Sequence, residues 1–98
     1  MKKYELTSIY NNQKSFYGRA LIEESKNGDV TLVSYGTNIL TVKSNGKILP
    51  LWNGYSVTTQ KHINEFMLQF TGVKCNKKEW TAIQDGIINT VNELKESM

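Results

Sequence analysis

The chain holds one histidine, His62, and one cysteine, Cys75. A histidine titrates near neutrality and serves as a general base or a pH switch. Glu65, three residues on, can touch His62 if the segment is helical. No spacing marks a dyad with an orienting partner, and His62 also reads as a partly exposed helix residue beside an apolar stripe. Cys75 has Lys74, Lys77 and Lys78 near it in sequence, and positive neighbours lower a thiol pKa. With no His, Asn or Asp arrangement beside it, it equally reads as a loop thiol without a role. One His and one Cys do not fill the ligand set of a zinc site, so no metal residue is expected. Glu23-Glu24 is the one paired-carboxylate run. Adjacent residues on a strand point to opposite faces, so the two do not share an acid–base site. The glycines fit turns and match neither a Walker loop nor a dinucleotide-binding turn. The expectation is therefore a non-enzymatic protein with no catalytic residue and no cofactor.

Two segments carry binding chemistry instead. Lys14-Ser15-Phe16-Tyr17-Gly18-Arg19-Ala20 interleaves basic and aromatic side chains. On a sheet surface such a run stacks bases and holds phosphates, or it splits, with one aromatic in the core and Arg19 solvated. Lys14, Tyr17 and Arg19 are its candidate binding residues. Trp52 and Tyr55 lie beside Asn53-Gly54 and either anchor a protein partner or cover the first helix as core.

The elements that must position these residues follow from periodicity. Residues 3–10 alternate as a strand, and residues 15–24 form a second, with a bulge at Gly18. Asn27-Gly28 and Asn45-Gly46 read as type I′ hairpin turns. Between and after them lie strands at 30–35, 39–43 and 48–52, the last at a sheet edge because Pro50 cannot donate to a ladder. The period then changes. Ile63, Phe66, Met67 and Phe70 mark one face of a helix over about 59–71, capped by Thr58 or Thr59. A second helix over about 77–95 starts from a capping box of Asn76 and Glu79. Trp80, Ile83, Ile87, Val91 and Leu94 form its apolar stripe, and Gly86 is a weak point within it. Strands first and helices after, without interleaving, predict an α+β domain. It is an antiparallel β-meander of four to five strands with two helices packed on one face.

The chain has 98 residues, 39% of them hydrophobic and 21% charged, which suits a single domain over 1–98. No apolar run reaches the length of a membrane span, and the basic start is not followed by the apolar stretch of a signal peptide. With one cysteine as well, a cytoplasmic location is expected. The formal charge is +3, and the excess lies in the first half: seven basic residues against four acidic up to Leu49. That is too mild to dominate binding as a dense basic patch does, and too basic for a mimic of DNA.

The chain resembles small proteins of phages, plasmids and other mobile elements of Gram-positive bacteria. The likeness rests on Lys14–Ala20, on Ser34-Tyr35-Gly36-Thr37 and on Ser56-Val57-Thr58-Thr59-Gln60-Lys61-His62-Ile63-Asn64-Glu65-Phe66. It spans roughly residues 1–72 and implies an accessory protein of a mobile element. It implies no catalytic residues. Two functions are then expected to compete. One is a binding protein that inhibits or modulates a host or rival protein or ribonucleoprotein, as anti-defence and anti-CRISPR inhibitors do. The other is a small nucleic-acid-binding regulator. A homodimer is open in either case, and a membrane partner is not expected.

Overall fold

The computed structural model describes residues 1–10 and 15–97. Five strands come first: β1 (Lys2–Glu5), β2 (Ala20–Glu24), β3 (Val30–Ser34), β4 (Thr37–Val42) and β5 (Ile48–Pro50). They pair antiparallel in chain order, as one meander. Three helices follow, α1 (Val57–Thr71), α2 (Lys77–Gln84) and α3 (Val91–Glu96). The expected α+β architecture is present, with Pro50 on an edge strand. No helix among the described residues is long and apolar enough to cross a membrane.

Alternation decides which face the helices take. Ala20 and Ile22 on β2, Leu32 and Ser34 on β3, and Leu40 and Val42 on β4 are buried. The register shifts at Leu32/Val33, so that Leu32 pairs with Leu40 and Val33 with Asn38. Ile39 is the extra residue, and this bulge buries Ile39 and Leu40 together. Against this layer α1 lays Ile63, Phe66 and Met67, α2 lays Trp80 and Ile83, and α3 lays Leu94. Each large side chain among them contributes on the order of 1.5–3 kcal/mol of apolar burial. The helix faces expected from Ile63, Phe66, Trp80 and Ile83 hold, and Phe70 is half-buried against the same cluster.

Five local expectations are corrected. The first strand ends at Glu5 and does not run on to residue 10. The second helix is not continuous over 77–95: it stops at Gln84, Gly86 takes φ +76°, and α3 starts afresh from Thr90 as N-cap. The break rotates the stripe, so Ile88 is buried while Ile87 points out, 69% exposed. The first helix is capped by Ser56, whose Oγ accepts from the Thr59 amide at 3.0 Å, rather than by Thr58 or Thr59. The second strand begins at Ala20, because Tyr17 and Gly18 both take positive φ and turn the chain.

The turn types are exchanged as well. At Asn27-Gly28 and Asn45-Gly46 only the glycine has positive φ, +90° and +91°. Gly28 donates to Ser25 O and Gly46 to Lys43 O, while Ser25 and Lys43 donate to the carbonyls of Asp29 and Lys47. Each is a type I turn closed by a glycine bulge, the three-residue alternative to a type I′ hairpin. The type I′ pattern falls instead on Tyr35-Gly36, φ +51° and +78°, which joins β3 to β4. Tyr17-Gly18, φ +53° and +73°, repeats it, with the Arg19 amide donating to Phe16 O at 3.0 Å.

Candidate functional site

An antiparallel meander puts successive turns at alternate ends of its sheet. The two Asn-Gly turns therefore share one end. There Asp29 ties them together, accepting from Lys43 Nζ and from the Ser44 amide, both at 2.9 Å. These bonds, first the one from Lys43, hold the Asp29 carboxyl below its usual range. The two Tyr-Gly turns share the other end, and the candidate site is built there.

Tyrosine is a costly choice for positive φ, where its Cβ crowds the following carbonyl by roughly 1–2 kcal/mol. Both tyrosines are nonetheless presented to solvent: Tyr17 is 76% exposed and Tyr35 is 50% exposed. The Tyr17 turn is held from beneath. Its amide donates to Ser15 Oγ at 2.9 Å, and the Gly18 amide donates to Glu5 Oε1 at 3.0 Å. Arg19, also exposed, lays its guanidinium 5.5 Å from the Tyr35 ring centroid. The Arg19 carbonyl accepts from the Tyr35 amide at 2.8 Å, which locks the two turns to each other.

Under this surface lies His62, 1% exposed. Phe16 meets its ring edge-on with centroids 4.6 Å apart, and Tyr35 lies over it at 5.7 Å. His62 Nδ1 is 2.8 Å from Ser34 Oγ, which in turn is 3.1 Å from Thr59 Oγ1. Burial pushes the imidazole down to about 4, so the ring is neutral at neutral pH. The expectation of a partly exposed His62 touching Glu65 is thus corrected. Glu65 accepts from the Tyr10 amide and from Gln69 Nε2 instead. A Ser–His pair invites comparison with a nucleophile and its base. This base is held far below neutrality, and Ser34 is 2% exposed. What the pair does is clamp the start of α1 onto the end of β3, directly behind Tyr35.

The residues singled out from sequence fall in separate places. Tyr17 and Arg19 join the Tyr-Gly end, and Phe16 is the partner that turns into the core. Lys14 lies outside the described residues. Trp52 is half-buried and packs against the core, its ring over Gly54, where a Cβ would strike the indole. Tyr55, 44% exposed, carries Lys77 Nζ 4.5 Å above its ring. Both belong to the contact with α2, where Trp80 Nε1 and Gln84 Nε2 donate to Gly54 O. Tyr35, Ser34 and the burial of His62 were missed from sequence, although Ser34-Tyr35-Gly36-Thr37 repeats the tyrosine–glycine pair of Phe16-Tyr17-Gly18-Arg19. Cys75 does lie in the loop between α1 and α2, but it is fully buried there, and burial followed by the charge of Glu79 pushes its pKa up to about 12. Glu23 and Glu24 do not converge, Glu23 pairing with Lys3 at 3.4 Å and Glu24 accepting from Tyr4 Oη at 2.6 Å. No group of three or more His, Cys, Asp or Glu side chains among the described residues is placed to hold a metal ion.

A small α+β meander with a tyrosine-and-arginine surface at one end is the class of protein that the fold and site define. Residues 4–82 match the family of unknown function DUF8033, and the chain belongs to that family. The matched span runs from β1 through most of α2 and includes every described residue of the Tyr-Gly end. No curated protein and no solved structure matches the chain.

Proposed function

We propose that the chain is a non-enzymatic accessory protein of a phage or other mobile element. In this reading it binds a host or rival macromolecule through Tyr17, Arg19 and Tyr35 and inhibits or modulates it, as anti-defence proteins do. One observation carries the reading: two exposed tyrosines occupy backbone positions that tyrosine adopts only at a cost. Asn or Gly would fill both turns with less strain, so backbone preference does not account for tyrosine there. Strain of this kind collects where function uses it. Tyr and Arg are also the side chains that anchor interfaces: tyrosine buries a large surface and loses little freedom, and arginine adds a planar charged fork.

A protein or ribonucleoprotein partner fits better than naked nucleic acid. Arg19 is already laid over Tyr35, whereas nucleic-acid grooves track the backbone with many free cations. The test is recovery of a partner from host lysate by the wild-type chain and its loss with a folded Tyr17→Ala/Arg19→Ala variant. Reconstituted with the purified partner, inhibition saturates near one chain per site and weakens little with salt. Full effect at strongly substoichiometric chain, or binding of bare nucleic acid that collapses with salt, contradicts the proposal.

A further inference from the structure

The chain contains three Asn-Gly pairs, at 27–28, 45–46 and 53–54. Asn-Gly is the sequence at which asparagine loses ammonia spontaneously. The glycine amide nitrogen, deprotonated, attacks the asparagine Cγ. A C–N bond forms, the side-chain nitrogen leaves as ammonia, and a succinimide results. Water then opens either carbonyl of that ring to give aspartate or isoaspartate, with no redox change. The reaction needs a glycine amide free to lose its proton and an asparagine side chain free to swing onto it.

Two of the three pairs are closed to it. The Gly28 amide donates to Ser25 O at 3.1 Å and the Gly46 amide to Lys43 O at 2.9 Å. Asn27 Oδ1 accepts from the Asp29 amide at 3.2 Å, and also from Ser25 Oγ. Asn45 Oδ1 accepts from the Lys47 amide at 3.0 Å. Nucleophile and electrophile are both tied down by the turns. At Asn53-Gly54 neither is: no described hydrogen bond engages the Gly54 amide or the Asn53 side chain, and Asn53 is exposed.

We infer that Asn53 is the site of spontaneous deamidation in this protein. The position gives the reaction a consequence. Gly54 O receives Trp80 Nε1 at 3.3 Å and Gln84 Nε2 at 2.9 Å, and Trp52 O receives Gln84 Nε2 at 3.1 Å. An isoaspartate at 53 lengthens the backbone between these two carbonyls by one carbon and adds a negative charge, which loosens the hold of the 52–54 segment on α2.

The test incubates the full chain under mildly alkaline native conditions and follows all three sites by peptide mass spectrometry and enzymatic methylation of isoaspartate. Product at Asn53 should exceed that at Asn27 and Asn45 by about tenfold, the factor for one turn hydrogen bond of ~1.4 kcal/mol that must break first. In urea the three sites should converge. An Asn53→Gln variant, folded by circular dichroism, should lose the dominant product. Conversion at Asn27 or Asn45 as fast as at Asn53 in the native chain, or an Asn53 rate that does not change relative to theirs in urea, overturns the assignment.

Discussion

Ser34 Oγ and His62 Nδ1 stand 2.8 Å apart across the seam between the last residue of β3 and the second turn of α1. This bond fixes Tyr35, the next residue after Ser34, over the imidazole, and Arg19 lies against the outer side of that tyrosine. A buried polar pair thereby sets the geometry of an exposed aromatic surface.

The imidazole should titrate far from its ordinary value. Its folded pKa, about 4, lies below the 6.5 of the unfolded chain. The unfolded state therefore binds the proton first as pH falls. The contribution of His62 to stability is complete above pH 6.5 and is lost between 6.5 and 4, by up to ~3 kcal/mol. His62 is the only histidine, so its ring resonances in an NMR titration are unambiguous. They should remain those of neutral imidazole at pH 5.5; a midpoint at 6 or above contradicts the buried placement.

Relief of strain at Tyr17 should stabilise the fold. Its φ is +53° and its ring is mostly in solvent, so Tyr17→Asn removes little packing and suits the backbone better. A gain of ~0.5–1 kcal/mol is expected in urea titration, together with loss of partner binding. A loss of more than 1 kcal/mol would mean that Tyr17 serves the fold and not the surface.

Gly86 distinguishes the broken helix from a continuous one. In a helix interior, Gly86→Ala would stabilise by ~1 kcal/mol. At φ +76°, with open space where the Cβ would go, the same change should destabilise by about 1 kcal/mol through backbone strain alone. The sign of the shift in the unfolding midpoint decides.

The meander was legible because β-branched runs, such as Val30–Ser34, and turn residues act over neighbouring positions. The phase of α2 was legible from Trp80 and Ile83 for the same reason. The break at Gly86 was not, since a stripe at spacings of three and four continues through Ile87 and Val91 whether or not the chain unwinds between them. What decides is tertiary: the Ile48 amide donates to Asn89 O and the Val91 amide to Gly46 O, which pulls 89–91 alongside β5. Tyr17 and Arg19 were visible as a basic–aromatic run. The pairing of Tyr35 with Arg19, and of Ser34 with His62, joins residues 16 and 28 positions apart in sequence and exists only once the sheet and α1 are assembled.

Cys75 should resist alkylation in the native chain. The thiol is fully buried and its pKa stands near 12, so thiolate is scarce at pH 8 despite three lysines nearby. Iodoacetamide should modify it at the rate of global or local opening, and rapidly in urea. Fast stoichiometric labelling under native conditions would show that residues 73–76 do not pack as described.

The central claim is that Tyr17, Arg19 and Tyr35 form the surface that meets a partner. The most direct measurement places a photo-crosslinking amino acid at position 17 or 35, and for comparison at Lys47 near the Asn-Gly end, in the chain expressed in the Gram-positive host that the proposed function implies. Positions 17 and 35 should give the same discrete adduct, abolished by Arg19→Ala, and position 47 should not. An adduct from position 47 alone, or adducts at 17 and 35 indifferent to Arg19→Ala, would contradict the account.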